Sequence, residues 1–115
     1  MSRGWIGVDL DGTLAYLDYE NYDHLVVGRP IPPMVERVID WLAEGIEVKI
    51  FTARVSSRVS DRETARQIIQ EWCAEHIGTE LEVTAEKDYG MLQLWDDRCI
   101  TVEENTGRIL TNDAD

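Results

Sequence analysis

An α/β fold, with a mostly parallel sheet flanked by helices, is what the sequence predicts, on three observations. Short apolar runs of strand character alternate with two longer segments whose apolar residues recur at helical spacing, the pattern of βαβ units. Asp9, Thr52 and the pair Asp96–Asp97 each follow such a run, at the carboxyl ends of strands where open sheets bind ligands. Short strand-like runs close together near the C-terminus suggest a small antiparallel hairpin added at the sheet edge.

Taken in order, Trp5 to Val8 is an apolar run that suits a buried strand ending at Asp9. Residues 14–31 (LAYLDYENYDHLVVGRPI) lack periodicity and read as a loop or small flap. Pro33 suits a first helical position, and Met34, Val35, Val38, Ile39 and Leu42 follow on one face until Gly45 stops the helix. IEVKIF, residues 46–51, is the next strand. Ser60 and Glu63 form a capping-box pattern before a long helix with Ala65, Ile68, Ile69, Trp72, Cys73 and Ile77 inward, closed by Gly78. LEVT (81–84), LQLW (92–95) and CITV (99–102) read as short strands, and NTG (105–107) as a turn before a last strand at 109–111.

The 115 residues fit one domain, 1–115, with enough apolar content at 43% for a single core. A net charge of −12 argues against duplex nucleic acid as a partner, because phosphate backbones reward the opposite sign. Part of that charge sits in the tail TNDAD. No apolar run approaches the roughly 20 residues of a membrane span, and Met1–Trp5 lacks the core of a secretory signal. The two cysteines, Cys73 and Cys99, form no metal or disulfide pattern; Cys73 falls on an apolar helix face. A cytoplasmic protein without membrane contact is the expectation.

The stretch DLDGTLAYLDYE (9–20) sets two acids one residue apart behind a strand. As a calcium loop it fails, with Leu14 where the sharp turn needs glycine and a strand where a helix should precede. As a plain Asp-Gly turn it leaves two carboxylates, at i and i+2 of an extended segment, pointing the same way. Like charges so close need a cation or a shared proton.

DLDGTLA resembles the first motif of the haloacid dehalogenase (HAD) superfamily, DxDxT behind apolar residues. VKIFTAR is similar to the second, an apolar strand ending in threonine or serine; Lys87 stands for the third, a lone lysine. LQLWDDR resembles the fourth, an apolar strand ending in paired acids. The four occur in order across most of the chain. The chain departs from the family pattern in placing Lys87 close before Asp96, where relatives insert a helix, and in strand and turn residues after the acids.

The resemblance implies a Rossmann-like HAD core without a cap domain, and a Mg²⁺-dependent phosphomonoester hydrolase working through an aspartyl phosphate. Asp9 would be the nucleophile and Asp11 the general acid/base. Thr52 would hold the transferring phosphoryl and Lys87 would stabilise its charge. Asp9, the Asp11 carbonyl and Asp96 would hold Mg²⁺, with Asp97 direct or behind. Leu10, Gly12, Thr52, Ala53, Arg54 and Lys87 are the implied phosphate-binding positions. The physics is consistent: phosphoryl transfer is chiefly positioning and charge neutralisation, so carboxylates facing an anion require a hard cation. Gly12 adds the expectation of backbone amides open to phosphate.

The intervals between motifs hold no cap, which leaves an open site or one lidded by a partner subunit in a homo-oligomer. Tyr16, Tyr19, Tyr22 and His24 lie in the flap near the mouth. Arg54, Arg58, Arg62 and Arg66 recur every fourth residue after Thr52, four of the 11 basic residues, and read either as a solvated face or as a positive rim for an anionic substrate. His76 suits the helix dipole. A small phosphorylated metabolite or a nucleotide is the expected substrate, and DDR (96–98) also resembles phosphatases that trim nucleic-acid ends. The competing class is a non-catalytic domain that binds phosphate or a protein.

Overall fold

The computed structural model describes residues 4–110. Its elements in chain order are β1 (Trp5–Asp9), α1 (Pro32–Ala43), β2 (Glu47–Phe51), α2 (Arg62–His76), β3 (Glu82–Thr84), β4 (Met91–Trp95), β5 (Thr101–Val102) and β6 (Ile109–Leu110). A single 3₁₀ turn, Ala53–Val55, follows β2. The sheet runs β3-β2-β1-β4 with every pair parallel, and Val8 stands beside Ile50 on one side and Trp95 on the other.

Alternation along the strands sorts the side chains. Ile6 and Val8, Val48 and Ile50, and Val83 join Met34, Val35 and Val38 of α1 and Ala65, Ile69, Trp72 and Cys73 of α2 in one hydrophobic core. Both helices therefore lie on one face, as right-handed crossovers from β1 to β2 to β3 require. The opposite face carries Trp5 and Lys49, whose ammonium sits 4.6 Å above the indole. There the connection 85–90 replaces a helix. Trp5 Nε1 donates to Asp88 Oδ1 at 2.9 Å, and the Trp5 amide donates to the Gly90 carbonyl at 2.8 Å.

The helices form largely where their spacing put them. Pro32, rather than Pro33, opens α1, and Ile39 is exposed rather than inward. Gly45 and Gly78, at φ +83° and +102°, end the two helices. The capping box is absent. Asp61 takes the N-cap position without a side-chain cap, and Glu63 pairs with Arg66 at 3.0 Å instead of reaching back. The C-terminal hairpin forms but, among the described residues, does not join the sheet: there β5 and β6 pair with each other alone, antiparallel, two residues each and exposed. Val102 and Ile109, paired across it, stay more than half exposed, so a ribbon this short buries no apolar face of its own. The turn expected at 105–107 is there, with Asn105 and Gly107 at positive φ. Thr111 and the tail TNDAD lie outside the described residues. Among the described residues no helix is long and apolar enough to cross a membrane.

Residues 14–31 fold as a flap fastened at many points. The Ile31 amide bonds to the Leu14 carbonyl at 2.9 Å and the Tyr16 amide to that of Arg29 at 2.8 Å, closing its base. Trp72 Nε1 donates to the Gly28 carbonyl at 2.9 Å, and Leu25 and Val27 pack on the core.

Candidate functional site

Strand order reverses between β1 and β4, because β2 and β3 extend the sheet one way from β1 and β4 returns to its other side. A crevice opens beyond the carboxyl ends at such a point. Asp9, the last residue of β1, and Asp96–Asp97, just after β4, stand on its two sides. Their carboxylate oxygens lie within 4.8 Å of one another. Thr13 bridges them. Its hydroxyl lies 3.2 Å from Asp9 Oδ2 and 3.0 Å from Asp97 Oδ1, and it accepts the Asp97 N–H at 3.0 Å. Gly12 lets the two loops approach: at φ +89°, a Cβ there would stand 2.8 Å from Asp97 Oδ2.

Burial pushes the Asp9 carboxyl up to about 7, helped by a hydrogen bond with Asp97 and the charge of Asp96. Three carboxylate oxygens this close, one from each acid, suit a small hard cation, which takes oxygen ligands at about 2.1 Å. Asp9, Asp96 and Asp97 would hold it. Asp96 also lines the cleft beside Asp9, whereas Asp97 faces Thr13 and Gly12.

Asp11 points the same way as Asp9 but meets a different partner. Arg54 holds it in a fork, Nε to Oδ2 at 2.9 Å and Nη2 to Oδ1 at 2.7 Å. Arg54 is only 5% exposed, and its Nη1 donates to the flap carbonyls of Asp23, His24 and Val26 at 3.3, 2.9 and 2.9 Å. The 3₁₀ turn causes this. Thr52 caps it by accepting the Arg54 N–H on its hydroxyl at 3.2 Å, which turns the Arg54 side chain inward under the flap.

The four arginines therefore form no common rim, and Arg58 is exposed and lines neither the cleft nor the hollow of Arg62 and Arg66. Arg54 is buried on Asp11. Arg62 donates to the Val59 carbonyl at 3.3 Å, and Arg66 bonds to Glu63 and to the Val83 carbonyl. The latter two line a different hollow, facing β3.

The cleft over Asp9 encloses about 400 Å³ and is lined by Asp11, Thr52, Ala53, Arg54 and Asp96, as the motifs implied. Three expected contributors are placed otherwise. The Leu10 side chain is wholly buried in the core. The Gly12 amide donates to the Ala15 carbonyl at 2.8 Å, so this turn is closed on itself rather than open as an anion nest. Lys87 is exposed on the β3–β4 connection and does not line the cleft. Arg98 does, and its guanidinium has no partner among the described residues. His24 lines it too, with Nε2 2.8 Å from Asp61 Oδ1. Arg98 stood in the DDR run as the cation nearest the acids, the signal that marked it. Cys73 is buried with its thiol pushed up to about 12, so it is packing.

A solved structure of a conserved protein from Bacteroides thetaiotaomicron resembles this chain with a TM-score of 0.54. It shares 23% identity over 94% of this chain and 82% of that one, a likeness of fold alone. No family model and no curated protein matches the chain.

Proposed function

We propose that the protein is a HAD-type phosphatase without a cap domain, hydrolysing phosphomonoesters with Mg²⁺ through an aspartyl phosphate on Asp9. The observation that carries this is the convergence of Asp9, Asp96 and Asp97 within 4.8 Å at the strand-order reversal, with Asp11 and Thr52 lining the same cleft. Mg²⁺, when bound, neutralises charge on the phosphoryl oxygens and on the acids themselves.

The chain's own groups do the rest. Asp9 attacks phosphorus and the P–O bond to the leaving alcohol breaks as Asp11 delivers a proton to that oxygen. Asp11 then takes a proton from water, which cleaves the acyl phosphate and returns Asp9. Thr52 keeps its hydroxyl proton to donate, since it caps the 3₁₀ turn as an acceptor. Arg98 is the cation placed to meet a phosphate at the cleft, with Lys87 reaching in only if its loop moves. A cytoplasmic setting and a small metabolite or nucleotide substrate belong to the same proposal.

One observation favours the second reading, a domain that binds phosphate without turning it over. Both Asp11 oxygens are taken by Arg54, and no lysine lines the cleft. The test that separates the two is phosphate release from a panel of esters, with Mg²⁺ and with excess EDTA, together with the mass of the peptide holding Asp9. A phosphatase gives Mg²⁺-dependent release and a phosphate increment on that peptide. Phosphate binding with no release and no increment establishes the second reading instead.

A further inference from the structure

Phosphoryl chemistry uses only part of the cleft over Asp9. The same cleft is also lined by Leu17 and Tyr22 of the flap, Phe51 beside Asp9 at the end of β2, and Val59 before α2. Leu17, Phe51 and Val59 are half-buried, yet none belongs to the hydrophobic core or packs against it among the described residues. Three apolar side chains from three segments thus converge on a cavity instead of on the protein interior.

Tyr22 is held in place. Its ring lies 4.9 Å from the Arg54 guanidinium carbon, and Arg54 is pinned by Asp11 and by three flap carbonyls. Such a wall is ready before any ligand arrives, and little ordering cost remains on binding. The polar groups of the cleft are largely committed: Asp11 and Arg54 bind each other, the His24 ring is engaged with Asp61, and Asp9, Asp96 and Arg98 face the phosphate and its cation. A polyol seated here would lose water from its hydroxyls without replacement bonds, whereas a flat ring would bury its face against Phe51, Tyr22 and Leu17.

We infer that the ester taken by this site carries a planar, weakly polar ring beyond its phosphate. Nucleoside monophosphates and arylmethyl phosphates share that chemistry; sugar phosphates lack it. The inference rests on the phosphatase reading only for the phosphate end of the ligand.

Matched pairs with equivalent leaving alcohols test it: adenosine 5′-monophosphate against ribose 5-phosphate, and benzyl phosphate against cyclohexylmethyl phosphate. Stacking predicts kcat/KM higher by about ten-fold for the ring-bearing member of at least one pair. A preference in the first pair points to a nucleoside, and one in the second alone to a simple aryl group. Tyr22→Leu and Phe51→Ala should each shrink the ratio. Ratios near unity in both pairs, with turnover intact, overturn the ring inference and leave the phosphatase standing. Should the wild type turn nothing over, binding of the same four esters to it with Mg²⁺, by titration calorimetry, separates the two ideas. Ring-bearing esters that bind about ten-fold tighter while the wild type turns nothing over would uphold the ring and sink the catalysis. Equal or absent binding there would sink the ring as well.

Discussion

Arg54 grips both oxygens of Asp11, at 2.9 and 2.7 Å, while its third nitrogen holds three carbonyls of the flap. One buried side chain therefore fixes the proposed acid/base and the loop above it together. Arg54→Ala would strand a half-buried carboxylate and three carbonyls, a loss on the order of 3–5 kcal/mol in unfolding by urea. Arg54→Lys keeps the charge but not the planar fork, so it should retain more stability than alanine and still misplace Asp11. Equal stability of wild type and Arg54→Ala would show that the fork holds nothing.

A pH dependence follows from Asp9. Its carboxyl is pushed up to about 7 in the folded chain, against about 4 when unfolded. Between those values the folded state binds more protons, so metal-free stability should fall as pH rises from about 4 to 7 and then level off. Mg²⁺ competes with that proton. Its stabilising shift in Tm should grow with pH across the same window, and Asp9→Asn should flatten both curves. A metal-free Tm that climbs through this range would contradict the burial of an uncompensated Asp9.

The sequence made the scaffold legible because its signals were local and periodic. Val8, Ile50 and Val83 announced buried strands, and Val38, Ile69 and Cys73 announced helix faces, all of which the core contains. The acids were legible because each closed an apolar run. What depended on the third dimension was not. Fourfold spacing said nothing of Arg54, since a 3₁₀ turn breaks the helical register between it and Arg62. Ser60 and Glu63 matched a cap by type, but the chain enters α2 one residue later and Arg66 offers Glu63 a nearer partner. Gly12 supplied positive φ as a DG turn would, yet its amide went to Ala15.

The cation at the cleft can be assigned by comparing two variants. Arg98 lines the cleft and is exposed, and Lys87 is exposed on another loop. If Arg98 holds the phosphate, Arg98→Ala should raise KM by roughly ten-fold or more, the worth of a charged hydrogen bond, and weaken its salt dependence. Lys87→Ala should then change little. The reverse pattern, measured by steady-state kinetics with Tm unchanged in both variants, would return the role to Lys87 and imply that its loop closes over the site.

Asp9 and Asp11 lie two residues apart and meet different partners, Asp97 with Thr13 on one side and Arg54 on the other. Different partners predict different defects. Asp9→Asn removes the attacking oxygen, so turnover and covalent labelling should vanish together. Asp11→Asn removes the proton carrier and should cost on the order of 10²–10⁴-fold. With an activated ester such as p-nitrophenyl phosphate, the first step needs little protonation, and the loss falls on hydrolysis of the acyl phosphate. Label should then accumulate on Asp9 in Asp11→Asn, labile to hydroxylamine and visible as a phosphate increment on the peptide holding Asp9. Beryllium fluoride with Mg²⁺ should protect that state in the wild type by raising its Tm. Near wild-type turnover by Asp9→Asn, or a label that maps elsewhere, would remove Asp9 as nucleophile and leave the acids as a cation site alone.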